Sequence, residues 1–359
     1  MFLDNQDKSL CTGCTACDAI CPVSAIKMEF DSEGFKYPVI DNEKCINCGM
    51  CKKVCPNLEK AKNRIVKTYG VKHKNLQERK TSRSGGVFVA ISDYILKRGG
   101  VIYGVVQNKD FSVCHLRAET KEERDAFKGS KYVQSNMDGI IKQIKKDLED
   151  GRKVLYSGTA CQVAGVRAAI PEKLHENLYC TDLICHGVPS VKIFEEYLKY
   201  IEEKENKKIK EFIFRDKDYG WSPHYETFIF EDGSKKTVQY FRNMFLRDKI
   251  LRPSCYSCNY ASPYRPADIT IADFWGIDKI NPEFYDEIGV SLVTVNSDKG
   301  IEIFENIKEE LDWFEASVQE VIDRTYNLDH PTEKPEDREE FWKDYEKESF
   351  EFIIDKYAK

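Results

Sequence analysis

The chain has 359 residues, 41% apolar and 32% charged, with a formal net charge of −6. That length suggests about two or three domains, and the small acidic excess excludes the concentrated basic face of a nucleic-acid binder. No apolar run approaches the roughly 20 residues of a membrane span, and the N-terminus lacks the basic start and apolar core of a secretory signal, so the expectation is a cytoplasmic protein.

In chain order, the first signal is a doubled cysteine run. Cys11, Cys14, Cys17, Cys21 and Pro22 follow C-x2-C-x2-C-x3-C-P, and Cys45, Cys48, Cys51, Cys55 and Pro56 repeat it. Three cysteines at two-residue gaps wrap one 4Fe-4S cluster, while the fourth, one residue further on, reaches the other cluster. The spacing therefore predicts Cys11, Cys14, Cys17 and Cys55 around one cluster, and Cys45, Cys48, Cys51 and Cys21 around the second. Zinc is the competing chemistry, but zinc sites close with two separated pairs and do not require a doubled triplet-plus-one. Short strands at 26–30 and 35–40 flank Asp31-Ser-Glu-Gly34, the hairpin of a small bacterial-type ferredoxin module over 1–60.

A lysine-rich stretch over 61–80 reads as a strand-bearing linker. Beyond it, Val87, Ala90, Ile91, Tyr94 and Ile95 fall at helical spacing, ended by Gly99-Gly100. An apolar strand at 101–106, a helix at 137–148 and a strand at 154–156 continue the alternation of an α/β domain. Residues 178–185 read as a strand, 191–207 as an amphipathic helix and 212–231 as aromatic-rich strands. From 331 the acidic and aromatic alternation predicts a surface helix pair, so the divisions are 1–60, 61–80, 81–325 and a helical tail over 326–359.

Six cysteines lie outside the doubled run: Cys114, Cys161, Cys180, Cys185, Cys255 and Cys258. Cys161 and Cys185 each follow a predicted strand, and strand ends converge at one sheet edge, where the C-x-x-C of Cys255 and Cys258 can meet them. A third metal site and a set of small buried hydrophobes both remain open on spacing alone. Gly85 and Gly86 open a helix whose free amides and dipole suit an anion; a plain glycine cap fits equally. Lys131 and Tyr132 read either as a charge and a stacking ring beside a cofactor or as ordinary solvated and core residues, and His186 either as a proton donor or as a structural histidine.

Ser84-Gly-Gly86, Gly129-Ser-Lys-Tyr-Val133, Ser157-Gly-Thr-Ala-Cys-Gln162, Asp182-Leu-Ile-Cys-His-Gly-Val-Pro-Ser190, Cys255-Tyr-Ser-Cys258 and Ala267-Asp-Ile-Thr-Ile-Ala-Asp-Phe-Trp-Gly276 run in order along the chain. Together they resemble the β subunit of coenzyme F420 hydrogenase/dehydrogenase, here with an N-terminal two-cluster ferredoxin domain. The resemblance implies a mixed α/β flavin-binding domain with non-covalent FAD beside a third 4Fe-4S cluster on Cys161, Cys185, Cys255 and Cys258. Its motifs imply cofactor-binding roles for Ser84, Gly85, Gly86, Lys131, Tyr132, Thr159 and Asp273, and catalytic roles for Lys131 and His186. Ala160 and Ala272 depart from the proline and glycine usual in the family, but both are small.

The expected activity is an iron-sulfur flavoprotein oxidoreductase. FAD would exchange electron pairs with a small-molecule donor or acceptor (a deazaflavin such as coenzyme F420, a nicotinamide or another reducible substrate), and the clusters would pass single electrons to a ferredoxin or another partner protein. The rival is a flavin-free relay protein within a larger redox complex. Arg83, Arg215, Arg252 and Arg265 are the scattered basic residues available for an anionic substrate.

Overall fold

The computed structural model describes residues 1–58 and 61–359. The expected junction at residue 60 lies outside the described residues. The repeat of the first segment is visible in the backbone: Gly13 and Asn47 both have positive φ (70° and 53°), as do Thr15 and Gly49 (63° and 71°). One-turn helices, Ala16–Ala19 and Met50–Lys53, follow these loops. Left-handed residues at matching positions curl each cysteine loop back on itself. Between the loops, Ile26–Phe30 pairs antiparallel with Lys36–Ile40, and Phe2, Phe35 and Tyr37 form the module's small core.

The body is built on an eight-stranded mixed sheet. Its spatial order is Leu311–Ala316, Lys67–His73, Ser291–Val295, Ile269–Asp273, Leu178–Leu183, Val154–Thr159, Val101–Gln107 and Val113–Ala118. The four strands from Ile269–Asp273 to Val101–Gln107 run parallel; the remaining neighbours are antiparallel. Parallel strands are covered on both faces, which explains why Leu178–Leu183 is buried at its first five positions. The segment read from sequence as a linker supplies Lys67–His73, an interior strand of this sheet.

Helices Val87–Leu96 and Asp298–Ile307 cover one face through Ile91, Ile95, Ile303 and Phe304. Ile140–Glu149 and Ala160–Ala169 cover the other. Ile140, Ile141, Ile144 and Leu148 lie on one helical stripe and are all buried, each worth roughly 2 kcal/mol of apolar burial. The ferredoxin module packs on this second face: Ala16 and Val54 are buried in the same cluster.

A second layer joins helix Val191–Glu205 to an antiparallel sheet of Ile209–Ile213, Glu226–Phe230 and Lys235–Val238. The terminal helices Arg338–Lys347 and Phe350–Tyr357 complete its core. The expectation of a surface pair needs correction here: Phe341, Ile353 and Ile354 are fully buried, because the aromatic spacing that looks irregular in sequence forms an inward stripe on each helix.

Candidate iron-sulfur and cofactor site

The thiols gather in three groups. Cys11, Cys14, Cys17 and Cys55 line one cavity with Thr12, Gly13 and Pro56. Cys161, Cys185, Cys255 and Cys258 line a second, together with Thr12, Arg252 and Tyr260. Cys45, Cys48 and Cys51 lie nearer the surface, with Cys48 exposed and Cys51 raised first by burial and then by the charges of Cys45 and Cys48. Cys21 accepts a hydrogen bond from the Ala25 amide at 3.2 Å.

Local structure explains how the second cavity forms. Thr159 ends a parallel strand and Cys161 opens the helix that follows, its Sγ 3.2 Å from Thr159 Oγ1. Residues 188–190 pair with 250–252 through the Ser190 N to Ile250 O and Arg252 N to Val188 O hydrogen bonds. That pairing brings the loop after Cys185 against the Cys255 turn, where the Val188 amide donates to Cys255 Sγ at 3.4 Å. Burial pushes the thiols up, Cys14 and Cys255 to about 12 and Cys161 to about 11.

Iron coordination deprotonates such thiols outright. Two of the quartets, Cys11, Cys14, Cys17 and Cys55 and Cys161, Cys185, Cys255 and Cys258, each line a cavity. The donors are all sulfur, the chemistry that suits iron-sulfur clusters.

The two inner cavities adjoin. A Cβ on Gly165, one helical turn after Cys161, would lie 2.7 Å from Cys14 Cβ and 2.9 Å from its Sγ. Only glycine admits that approach. Tyr260 is buried with Cys161, Cys258 and Ala164, and its hydroxyl donates to Pro56 O at 3.1 Å. Thr12 lines both cavities.

A second constellation lies across the body. Asp273, at the end of its strand, accepts from Arg215 Nη1 at 2.6 Å and Trp221 Nε1 at 2.7 Å. Arg83 donates to Arg215 O at 2.5 Å, and Lys217 Nζ donates to Ser82 O at 2.8 Å and Ser84 O at 3.3 Å. Trp221 and Trp275 stack at 4.9 Å and 13°, with the Arg215 guanidinium 5.1 Å from the Trp275 ring. His224 lies 5.9 Å from Trp275 and 6.4 Å from Tyr132, and Tyr132 reaches Phe245, which meets His186 edge-on at 5.2 Å.

Burial, then the neighbouring cations Arg83 and Arg79, lower Lys217 to about 7; burial and Arg215 lower Arg83 to about 10. Arg83 Nε and Arg215 Nε have no hydrogen-bond partner among the described residues. Two guanidiniums and a lysine beside one carboxylate, with unfilled donors near an exposed indole, fit an anionic ligand with a flat ring.

Ser84 and Asp273 belong to this constellation, with Ser84 Oγ donating to Val290 O at 2.8 Å. The glycines have chain-packing duties: a Cβ on Gly85 would clash with Val71 O, and Gly86 has φ 85°. Tyr132 stands between the constellation and His186. Thr159 lies instead at the thiol cavity. Lys131 turns onto Ala126 O and Lys128 O, at 3.0 and 2.8 Å, and burial lowers it to about 7. His186 Nε2 is 2.5 Å from Asp248 Oδ1. Of the four scattered arginines only Arg83 and Arg215 meet; Arg265 pairs with buried Asp182 at 3.0 Å, and Arg252 turns to the ferredoxin module. Trp221, Lys217 and His224 escaped sequence reasoning because they lie outside the cysteine and glycine motifs; Trp275 stood inside a quoted motif and carried a usable signal.

Residues 151–318 match the C terminus of the coenzyme F420 hydrogenase/dehydrogenase beta subunit, and residues 10–57 and 37–87 match 4Fe-4S dicluster domains. The chain thus carries the C-terminal domain of that beta-subunit family behind N-terminal 4Fe-4S dicluster domains. The chain is similar to the F subunit of F(420)H(2) dehydrogenase from Methanosarcina mazei, 22% identical over 348 residues that span 89% of this chain and 91% of that one. It is also similar to coenzyme F420-dependent sulfite reductase of Methanocaldococcus jannaschii, 27% identical over 164 residues, covering 45% of this chain and 25% of that protein. A chain of the F420-reducing NiFe hydrogenase complex from Methanosarcina barkeri shares the fold, with a TM-score of 0.50 and 18% identity over 74% of this chain and 90% of that one. An oxidoreductase-type domain and 4Fe-4S domains thus share this chain, and no described helix is long and apolar enough to cross a membrane.

Proposed function

We propose that the protein is an iron-sulfur flavoprotein that passes electrons between a small-molecule donor or acceptor and a partner protein. The observation that carries this reading is adjacency. A cationic, indole-lined constellation is linked through Tyr132, Phe245 and His186 to the Cys161, Cys185, Cys255 and Cys258 cavity, which adjoins the Cys11, Cys14, Cys17 and Cys55 cavity.

FAD would supply exchange between electron pairs and single electrons, and the clusters would supply one-electron chemistry. In this reading Arg83, Arg215 and Lys217 hold the pyrophosphate charge, Trp275 offers a ring face, and Asp273 keeps Arg215 oriented. The eight N-terminal cysteines hold two clusters, and the other quartet a third. Exposed Cys48 marks the side that a ferredoxin or similar redox protein approaches. The names of the relatives make a deazaflavin the first substrate to assay, with nicotinamides beside it.

The flavin-free relay has its own support, since the thiol groups extend from the interior to the surface without the arginine constellation. Anaerobic purification followed by flavin extraction separates the two. One FAD per chain, lost in an Arg83→Gln, Lys217→Gln variant that keeps its iron, is the expected result. Full iron with no extractable flavin in the wild type selects the relay.

A further inference from the structure

Buried arginines in this protein take carboxylate partners: Arg265 with Asp182, Arg124 with Asp93, Arg215 with Asp273 and Arg338 with Glu33. Arg252 does not. It is wholly buried, and its guanidinium donates to Cys11 O at 2.7 Å, Lys36 O at 2.9 Å and Gln134 Oε1 at 2.9 Å, with Nη2 3.6 Å from Cys11 Sγ. Its underside rests 4.3 Å from the Tyr37 ring centre. Gly13 leaves the room it occupies, because a Cβ there would lie 3.0 Å from Arg252 Nη1.

Burying a cation without an anion is strongly unfavourable, so the position calls for negative charge that the described carboxylates do not supply. The groups around it are thiols. Arg252 touches Cys11 of one inner quartet and lines the cavity of the other beside Cys161 and Cys255. Thiolate-ligated clusters are anionic, and each gains a further negative charge on reduction.

We propose that Arg252 is a positioning residue that sets the reduction potentials of both inner clusters together, holding them above the value they would have without it. This rests on the reading that both cavities hold 4Fe-4S clusters. A fixed cation favours the reduced state, and a hydrogen bond to a ligand sulfur acts in the same direction. None of Cys21, Cys45, Cys48 and Cys51 is among the groups Arg252 contacts, so the outer cluster is not expected to follow it. The shared cation makes the inner pair a matched pair.

The test is a redox titration followed by electron paramagnetic resonance on wild type, Arg252→Gln and Arg252→Lys, each with its iron counted first. In Arg252→Gln both inner clusters are expected to move to lower potential, cutting the reduced-to-oxidised ratio at a fixed ambient potential by about tenfold, or about 59 mV for one electron. The outer cluster stays in place. Arg252→Lys keeps the charge but loses the contact with Cys11, so only the Cys11 cluster falls. Unmoved inner potentials, or an equal shift of all three clusters, overturn the proposal. If Arg252→Gln loses iron, Arg252→Lys decides alone: a shift confined to the Cys11 cluster supports the assignment, and none overturns it. A wild-type count of about eight irons instead contradicts the underlying three-cluster reading before any potential is measured.

Discussion

A helical glycine controls how closely the two inner thiol quartets approach. Gly165→Ala places a methyl 2.7 Å from Cys14 Cβ, and relieving such a clash costs about 1–3 kcal/mol. The prediction is a lower melting temperature with iron lost first from the quartet that contains Cys14; unchanged stability and iron content would show that the helix and loop slide apart freely. Lys131 offers a pH test. Its folded value of about 7 lies below its ordinary 10.5, so between those values the unfolded chain binds the extra proton and stability rises with pH. The neutral Lys131→Met removes this titration. Wild type is expected to gain melting temperature relative to Lys131→Met from pH 7 to pH 10, and parallel pH profiles would contradict the burial of its amine. At this scale the cysteines were legible because their spacing is itself the geometry of a cluster loop. Arg252 and Lys217 were not, since nothing near them in sequence distinguishes a cation held on backbone carbonyls from a solvated one.

The ferredoxin hairpin is clasped to the C-terminal tail. Arg338 holds Glu33 in the hairpin turn with Nη1 to Oε1 at 3.1 Å and Nη2 to Oε2 at 2.5 Å, and also donates to Tyr256 OH and Leu251 O. Ser190 Oγ adds a hydrogen bond to Glu33 O. Arg338→Ala leaves a half-buried carboxylate without its cation, a loss of about 3 kcal/mol for a well-buried pair and less with partial exposure. The expected sign is earlier proteolysis in the first sixty residues while the body resists; a uniform digestion pattern would contradict a clasp. Local patterns read correctly where one element buries one face, as in the 26–30 hairpin strand and the helix at 140–149. They failed where tertiary pairing decides. Lys67–His73 looked like connecting chain because its partners, Ser291–Val295 and Leu311–Ala316, lie over 200 residues away, and the tail looked superficial because the sheet it covers lies elsewhere in sequence.

Across the whole molecule, the acidic chain folds into a body whose sheet edge, helix start and loops collect four cysteines from distant segments, beside a module that brings eight more. Sequence placed the third quartet among strand ends but left its fate open, because buried free thiols and cluster ligands have the same composition. The burial of Arg252 between two thiol cavities, without a carboxylate partner among the described residues, argues for charge at that junction. The most direct test is the iron and acid-labile sulfide content of anaerobically purified wild type beside Cys258→Ala. The prediction is about twelve irons, as three clusters of four, falling to about eight in the variant, with the N-terminal pair still visible in the reduced spectrum. Equal iron in both proteins would contradict a cluster held by Cys161, Cys185, Cys255 and Cys258.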